Sequence, residues 1–261
     1  MDLNLTNKNA LVCGSSRGIG LAAAMELAEL GANITLVARD GDKLAELVHS
    51  LHRDSAQRHD FLVADFSKPK ELSRRVKTLI LRKPIHILIN NTGGPKGGPI
   101  IDAELDEFSG AFNNHVICSH LLTKLVSPTM IAEGYGRIIN VISTSVKEPI
   151  PGLGVSNTIR GAMASWAKTM AGELGSHGIT VNNVLPGYTS TDRLSSLISS
   201  KAKNAGKTED EIAKGMKSNV PLGRFADPKE TGAVIAFLAS PAASYVSGIN
   251  VPVDGGRTRS L

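Results

Sequence analysis

Short apolar runs alternate with longer amphipathic stretches along most of the chain. Ala10–Cys13, Ile34–Val37, Phe61–Ala64, Ile85–Ile89, Ile138–Ile142, Thr180–Val184 and Ile249–Val253 read as buried strands, because they lack the polar alternation of a half-solvated strand. Helical periodicity covers 18–30, 41–52, 69–82, 104–132, 153–176 and 228–239 between them. Strand and helix in turn predict an α/β fold: a doubly wound parallel sheet of about seven strands, with right-handed crossovers and helices on both faces. No repeat, linker or composition break divides residues 1–261, so a single domain is expected. The stretch 189–220 departs from the pattern. It is polar, rich in Ser and Lys, and reads as short helices forming a substrate lid over the mouth of a site.

Composition narrows the class. A chain of 261 residues with 41% hydrophobic content can bury a core without staples. The net charge of +5 is spread along the chain and aromatic residues make up only 4%, which argues against a nucleic-acid surface and for some pull toward phosphorylated ligands. Cys13 and Cys118 form neither a disulfide framework nor a metal-ligand spacing, so each reads as a small buried hydrophobe, and no metal is expected. With no basic-then-apolar leader at Met1–Asn9 and no bilayer-length apolar run, neither a signal peptide nor a membrane is expected, and the expected compartment is the cytoplasm.

The first strand runs into Cys13-Gly14-Ser15-Ser16-Arg17-Gly18-Ile19-Gly20 and then the helical 21–30. Glycines at 14, 18 and 20 permit a tight turn and a close approach to a pyrophosphate, and the helix start offers free N–H groups. Strand before and helix after are the context that gives a glycine trio meaning, so Gly14, Ser16, Arg17, Gly18, Ile19 and Gly20 are predicted dinucleotide contacts in a single-domain Rossmann fold. The second strand ends at Ala38-Arg39-Asp40. An acid at the strand end would accept from the ribose 2′-hydroxyl, but Ala38 stands there. Arg39 and Arg17 instead supply guanidinium groups that suit a 2′-phosphate, so NADP is expected over NAD.

With these residues in view, the chain resembles the classical short-chain dehydrogenase/reductase family over nearly its whole length. Asp65, with Phe66 beside it, closes the third strand, where the family contacts adenine. Asn90-Asn91-Thr92-Gly93 looks like the family's Asn-Asn-Ala-Gly motif. Gly136-Arg137-Ile138-Ile139-Asn140-Val141 is similar to its fifth strand, and Val253-Asp254-Gly255-Gly256 to its C-terminal signature. Pro186 and Gly187, with Thr189, Thr191 and Asp192, resemble the segment beside nicotinamide and pyrophosphate. The resemblance implies cofactor contacts from Asp65, Phe66, Asn91, Gly93, Pro186, Gly187, Thr189 and Thr191. The pattern is most similar to 3-oxoacyl-carrier-protein reductases, a label that fixes no substrate.

The family's catalytic places are filled unusually. Spacing from Phe108 puts His115 at the family's asparagine, Ser143 at its serine, Ser156 at its tyrosine and Arg160 at its lysine. Only Ser143 keeps the family's residue. A serine hydroxyl is a far weaker acid than a phenol, and a guanidinium stays protonated, so Arg160 reads as a cofactor anchor that donates to ribose hydroxyls. His115 is the leading replacement proton donor, because imidazole titrates near neutrality, against a helix histidine bonded to backbone. Tyr188 and Lys147 are weighed beside it, and the loop Gly93–Pro99 offers backbone amides to a substrate carboxylate or phosphate.

Three functions follow: an NADP-dependent oxidoreductase reducing a carbonyl or activated double bond with a non-standard proton donor, a catalytically inactive NADP-binding sensor or partner subunit, and a cofactor-dependent enzyme of another class. The expected substrate is a small molecule or acyl thioester. The resemblance also implies a homo-oligomer, a tetramer, whose helices at 104–132 and 153–176 pair through small residues such as Gly161, Ala162, Ala164 and Ala167.

Overall fold

The computed structural model describes residues 1–260. Seven parallel strands form one sheet: β1 (Asn9–Cys13), β2 (Asn33–Ala38), β3 (Asp60–Val63), β4 (Ile87–Asn90), β5 (Gly136–Val141), β6 (Ile179–Pro186) and β7 (Asn250–Val253). They lie in the order β3-β2-β1-β4-β5-β6-β7. The order reverses between β1 and β4, and in open parallel sheets ligands bind beyond the carboxyl ends of the strands at such a point.

Alternate strand residues supply two cores, as the two-residue strand period requires. Ala10 and Val12 of β1 join Ile34, Leu36, Ile87 and Ile89 on one face, packed by α1 (Gly18–Glu29), α2 (Gly41–Ser50) and α9 (Pro228–Ala239). Leu11 and Cys13 join Val37, Leu88 and Ile138 on the other, packed by α3 (Pro69–Ile80), α5 (Cys118–Glu133) and α6 (Gly154–Leu174). Both cysteines are buried there; burial pushes the Cys118 thiol up to about 11 and Cys13 higher still, so neither is a ready nucleophile. No helix among the described residues is long and apolar enough to cross a membrane.

Four expectations need correction. The periodic stretch 104–132 is not one helix. It is α4 (Leu105–Phe112), a π-turn (Asn113–Ile117) and then α5, and a π-turn changes which residues face inward. Ile85 precedes β4 instead of starting it. The strands are not uniformly apolar: β3 is an edge strand with Phe61 at 37% exposure, and Asn140, Asn182 and Asn183 are buried in β5 and β6. Ala167 is 1% exposed and packs in the subunit's own core, so it is removed from the expected interface set, whereas Gly161 lies exposed. The polar stretch after β6 does form helices, α7 (Asp192–Ala205) and α8 (Glu209–Ser218).

Buried asparagines tie four neighbouring strands together. Asn90 donates to Asn140 Oδ1 at 2.9 Å, Asn140 to Asn183 Oδ1 at 2.9 Å, and Asn183 to Asn250 Oδ1 at 2.8 Å. Each pair is in register across neighbouring strands. Beyond the ladder the chain runs from β4, β5 and β6 into Asn91, Ser143 and Gly187, which line one cavity.

Candidate active site

A cavity of about 1370 Å³ runs across the carboxyl ends of the strands, from Arg39 and Asp65 through the turn at Gly14–Gly18 to Ser143, Ser156, Arg160 and Tyr188. The turn is built for close approach. Gly14 has φ +58°, and a Cβ there would stand 2.6 Å from the Asn91 carbonyl oxygen. A Cβ at Gly20 would collide with the Gly14 carbonyl oxygen. Asn91 Nδ2 donates to the carbonyls of Cys13 and Gly14 at 3.2 and 3.1 Å, and the Val37 N–H donates to Ser15 Oγ at 2.9 Å, so neighbouring strands hold the turn from both sides. Ser15 is thus a structural brace, which the sequence reading missed, while Ser16 lines the cavity. No side chain caps α1 and no acid sits in its first turn. Its leading N–H groups and positive dipole end therefore face the cavity free for an anion, and the donor set fits a dinucleotide pyrophosphate.

At the end of β2, Ala38 offers no side-chain acceptor and Asp40 is used to cap α2, accepting from the Lys43 N–H at 3.0 Å. Arg39 is exposed and lines the cavity. Asp65 accepts from the Ser67 N–H at 2.9 Å; that bond and, more weakly, the charge of Arg39 hold its carboxyl below the usual range. Arg17 is paired with Asp192 at 3.0 Å, both side chains more than 70% exposed. Such a surface pair is weak and readily exchanged for a phosphate.

At the opposite end, Ser143 closes β5. Its Oγ accepts from the Ser145 N–H at 3.1 Å, which leaves the hydroxyl hydrogen to be donated. Ser156 and Arg160 lie one turn apart on α6 and both line the cavity. Arg160 is 8% exposed, and its Nη1 donates to the Val141 carbonyl at 3.0 Å. Burial, and then the charge of Arg193, lower its pKa to about 10, so it is still a cation at neutrality.

The structure argues against His115 as the proton donor. The π-turn buries it to 3% exposure and outside the cavity lining, bonded to the Gly93 carbonyl. Burial first, then the Arg160 charge, push its pKa down to about 2, so it is a neutral structural histidine and no proton donor at neutrality. Its neighbour Asn114 lines the cavity instead, with a buried Oδ1 that has no partner. Tyr188 reaches the cavity, but Arg257 lies 4.7 Å over its ring and Phe225 packs edge-on against it. Lys147 ends a short 3-10 turn away from the cavity lining. Pro186, Gly187, Thr189 and Thr191 line the cavity between the end of β6 and the start of α7, as do Gly93, Phe66 and Ile19 elsewhere. Arg193, which the sequence reading passed over, also lines it; only the placement of α7 reveals that.

Known proteins share this family and this fold. The family described as enoyl-(acyl carrier protein) reductase matches residues 14–258. The chain is 33% identical to a 3-oxoacyl-[acyl-carrier-protein] reductase of Vibrio harveyi, over 97% of this chain and 98% of that protein. Among solved structures, L-sorbose reductase from Gluconobacter frateurii, complexed with NADPH and L-sorbose, superposes with a TM-score of 0.93 at 31% identity and full coverage of both chains. An NAD+-bound xylitol dehydrogenase superposes with a TM-score of 0.89 at 29% identity, covering 97% of this chain and 99% of its own.

Proposed function

The chain belongs to the classical short-chain dehydrogenase/reductase family, and from that premise we propose that it is an NADP-dependent reductase of a carbonyl or activated double bond. The observation that carries this reading is the single cavity joining the glycine turn to Ser143, Ser156 and Arg160. When bound, NADPH supplies a hydride to an electrophilic carbon. The N–H groups of α1 hold the pyrophosphate, and Arg39 and Arg17 hold the 2′-phosphate, Arg17 leaving Asp192 to do so. Arg160 donates to ribose hydroxyls from an N–H not used by Val141. Ser143 donates its free hydroxyl hydrogen to the substrate oxygen.

We read Ser156 and Arg160 as occupying the family's tyrosine and lysine places. The short serine then leaves room for a water between Ser143 and Ser156; that water gives a proton to the substrate oxygen and takes one back from solvent. With no phenol to donate, reduction of simple 3-oxoacyl substrates is slow. A homo-oligomer, a tetramer, goes with this reading. Steady-state NADPH oxidation with a panel of ketones, acyl thioesters and enones tests it: turnover of at least one supports the reading, and NADPH binding without turnover of any contradicts it.

A second reading, an NADP-binding sensor or partner subunit, draws on the cavity's chemistry. Among the described residues no histidine or cysteine lines it, and its one tyrosine is covered by Arg257.

A further inference from the structure

Two guanidinium groups converge on the loop between β4 and α4. Nη2 of Arg160 lies 3.8 Å from the point where a Cβ on Gly94 would stand, and Nη2 of Arg193, from the first turn of α7, lies 3.8 Å from the same point. Each is steered by a backbone carbonyl, Arg160 by Val141 at 3.0 Å and Arg193 by Pro95 at 2.8 Å. Neither pairs with a carboxylate among the described residues, and the carboxylates lining the cavity are engaged elsewhere. Asp40 and Asp227 cap α2 and α9, Asp65 accepts from Ser67, and Asp192 holds Arg17.

A buried cation with a second cation beside it and no counter-ion is an unfavourable arrangement in the absence of an anion. The loop leaves space for one: a Cβ at Gly93 or Gly98 would touch nothing within 4 Å, and at Gly94 it would meet only the two guanidinium groups. Two guanidinium groups aimed at one open point match the bonding pattern of an oxyanion.

We propose that Arg160 and Arg193 form a clamp for a carboxylate on the substrate, so that the substrate is an organic acid carrying its reducible group close by. The inference rests on the reductase reading for the word substrate, but the clamp itself does not. The cofactor's phosphates are already provided for, by the uncapped start of α1 and by Arg17 and Arg39, which leaves the Arg160–Arg193 pair for a different anion. Ser156, one turn before Arg160, places the clamp beside the proposed reaction centre. Arg193 stands in the first turn of α7 and bonds the Pro95 carbonyl, so the clamp joins α7 to the loop at 93–99.

The test is calorimetric titration of malonate and of its neutral dimethyl ester into the unmodified protein and Arg193→Gln, each with and without saturating NADP. Arg193 is exposed and makes no core contact, so the variant folds; thermal melting checks this. Malonate is expected to bind, the ester not to bind, and Arg193→Gln to weaken malonate by about tenfold or more, the scale of one charged hydrogen bond. NADPH affinity should change less than about twofold. Equal malonate affinity in both proteins overturns the clamp. So does an NADPH affinity that falls tenfold in Arg193→Gln while malonate ignores the NADP-loaded protein, because the pair then serves the cofactor's own phosphate. Failure of the reductase reading looks different: malonate still binds and Arg193→Gln still weakens it, but none of the ketones, acyl thioesters and enones is reduced.

Discussion

His115 and Arg160 are both nearly buried and sit within each other's field, yet one keeps its charge and the other has lost it. A guanidinium starts so far above neutrality that burial leaves it charged, while an imidazole starts close enough to be neutralised. This has a consequence for stability. Unfolded, His115 takes up a proton below 6.5; folded, it does not until about pH 2. The unfolded state therefore binds the proton first. The stability His115 contributes is complete above 6.5 and is lost as the pH falls toward 2, at about 1.4 kcal/mol per pH unit. His115→Asn, which keeps a donor for the Gly93 carbonyl, should flatten that acid limb; urea midpoints of both proteins at pH 7 and 5.5 read it, and parallel slopes would contradict the buried neutral imidazole. The same scale holds the proton-donor claim. Ser156→Tyr with Arg160→Lys restores the family pair and should raise turnover of a 3-oxoacyl thioester by about a hundredfold or more, the usual worth of general acid catalysis. Fast turnover by the unmodified protein, unchanged by the pair, would mean that the proton comes from elsewhere. Gly14, Gly18, Ala38, Arg39 and Ser143 could be placed beside the cavity from local sequence alone. Arg193 was not, because what brings it to the cavity is the placement of α7 beside Gly94.

At the scale of elements, the asparagine ladder is the feature with the clearest energetic signature. Asn140 is fully buried and bonded to asparagines on both sides. Asn140→Leu leaves a donor of Asn90 and an acceptor of Asn183 buried without partners, at about 1–3 kcal/mol each. Denaturant unfolding should show a loss of several kcal/mol, together with weaker NADPH binding as the strand ends loosen; a loss below about 1 kcal/mol would say that water or repacking satisfies the orphaned groups. Strands and helices of the doubly wound sheet were readable, since buried runs and amphipathic periods carry them. The break at 113–117 was not. A π-turn keeps the apolar spacing nearly intact, and neither glycine nor proline marks it; the only local hint is the pair Asn113-Asn114. The stretch 189–220 was legible as polar helical chain but not in its placement, since α7 and α8 are set by an exposed ion pair and a small cluster around Leu194, Ile198 and Met216.

For the whole molecule, apolar side chains remain uncovered near α4 and the π-turn: Ile101 and Leu105 are more than 80% exposed, and Phe112 and Ile117 about half that. Surface of this kind fits an isologous contact. Sedimentation should give the mass of four chains, and Phe112→Asp with Ile117→Asp should shift it to a smaller species; a monomeric unmodified protein would contradict the assembly. The central claim concerns the cofactor, and the most direct test is a paired fluorescence titration of the protein with NADPH and NADH, repeated on Arg39→Ala. The account predicts tighter binding of NADPH, with most of the difference gone in the variant. Equal affinity of the unmodified protein for the two cofactors, or no binding of either, would contradict it.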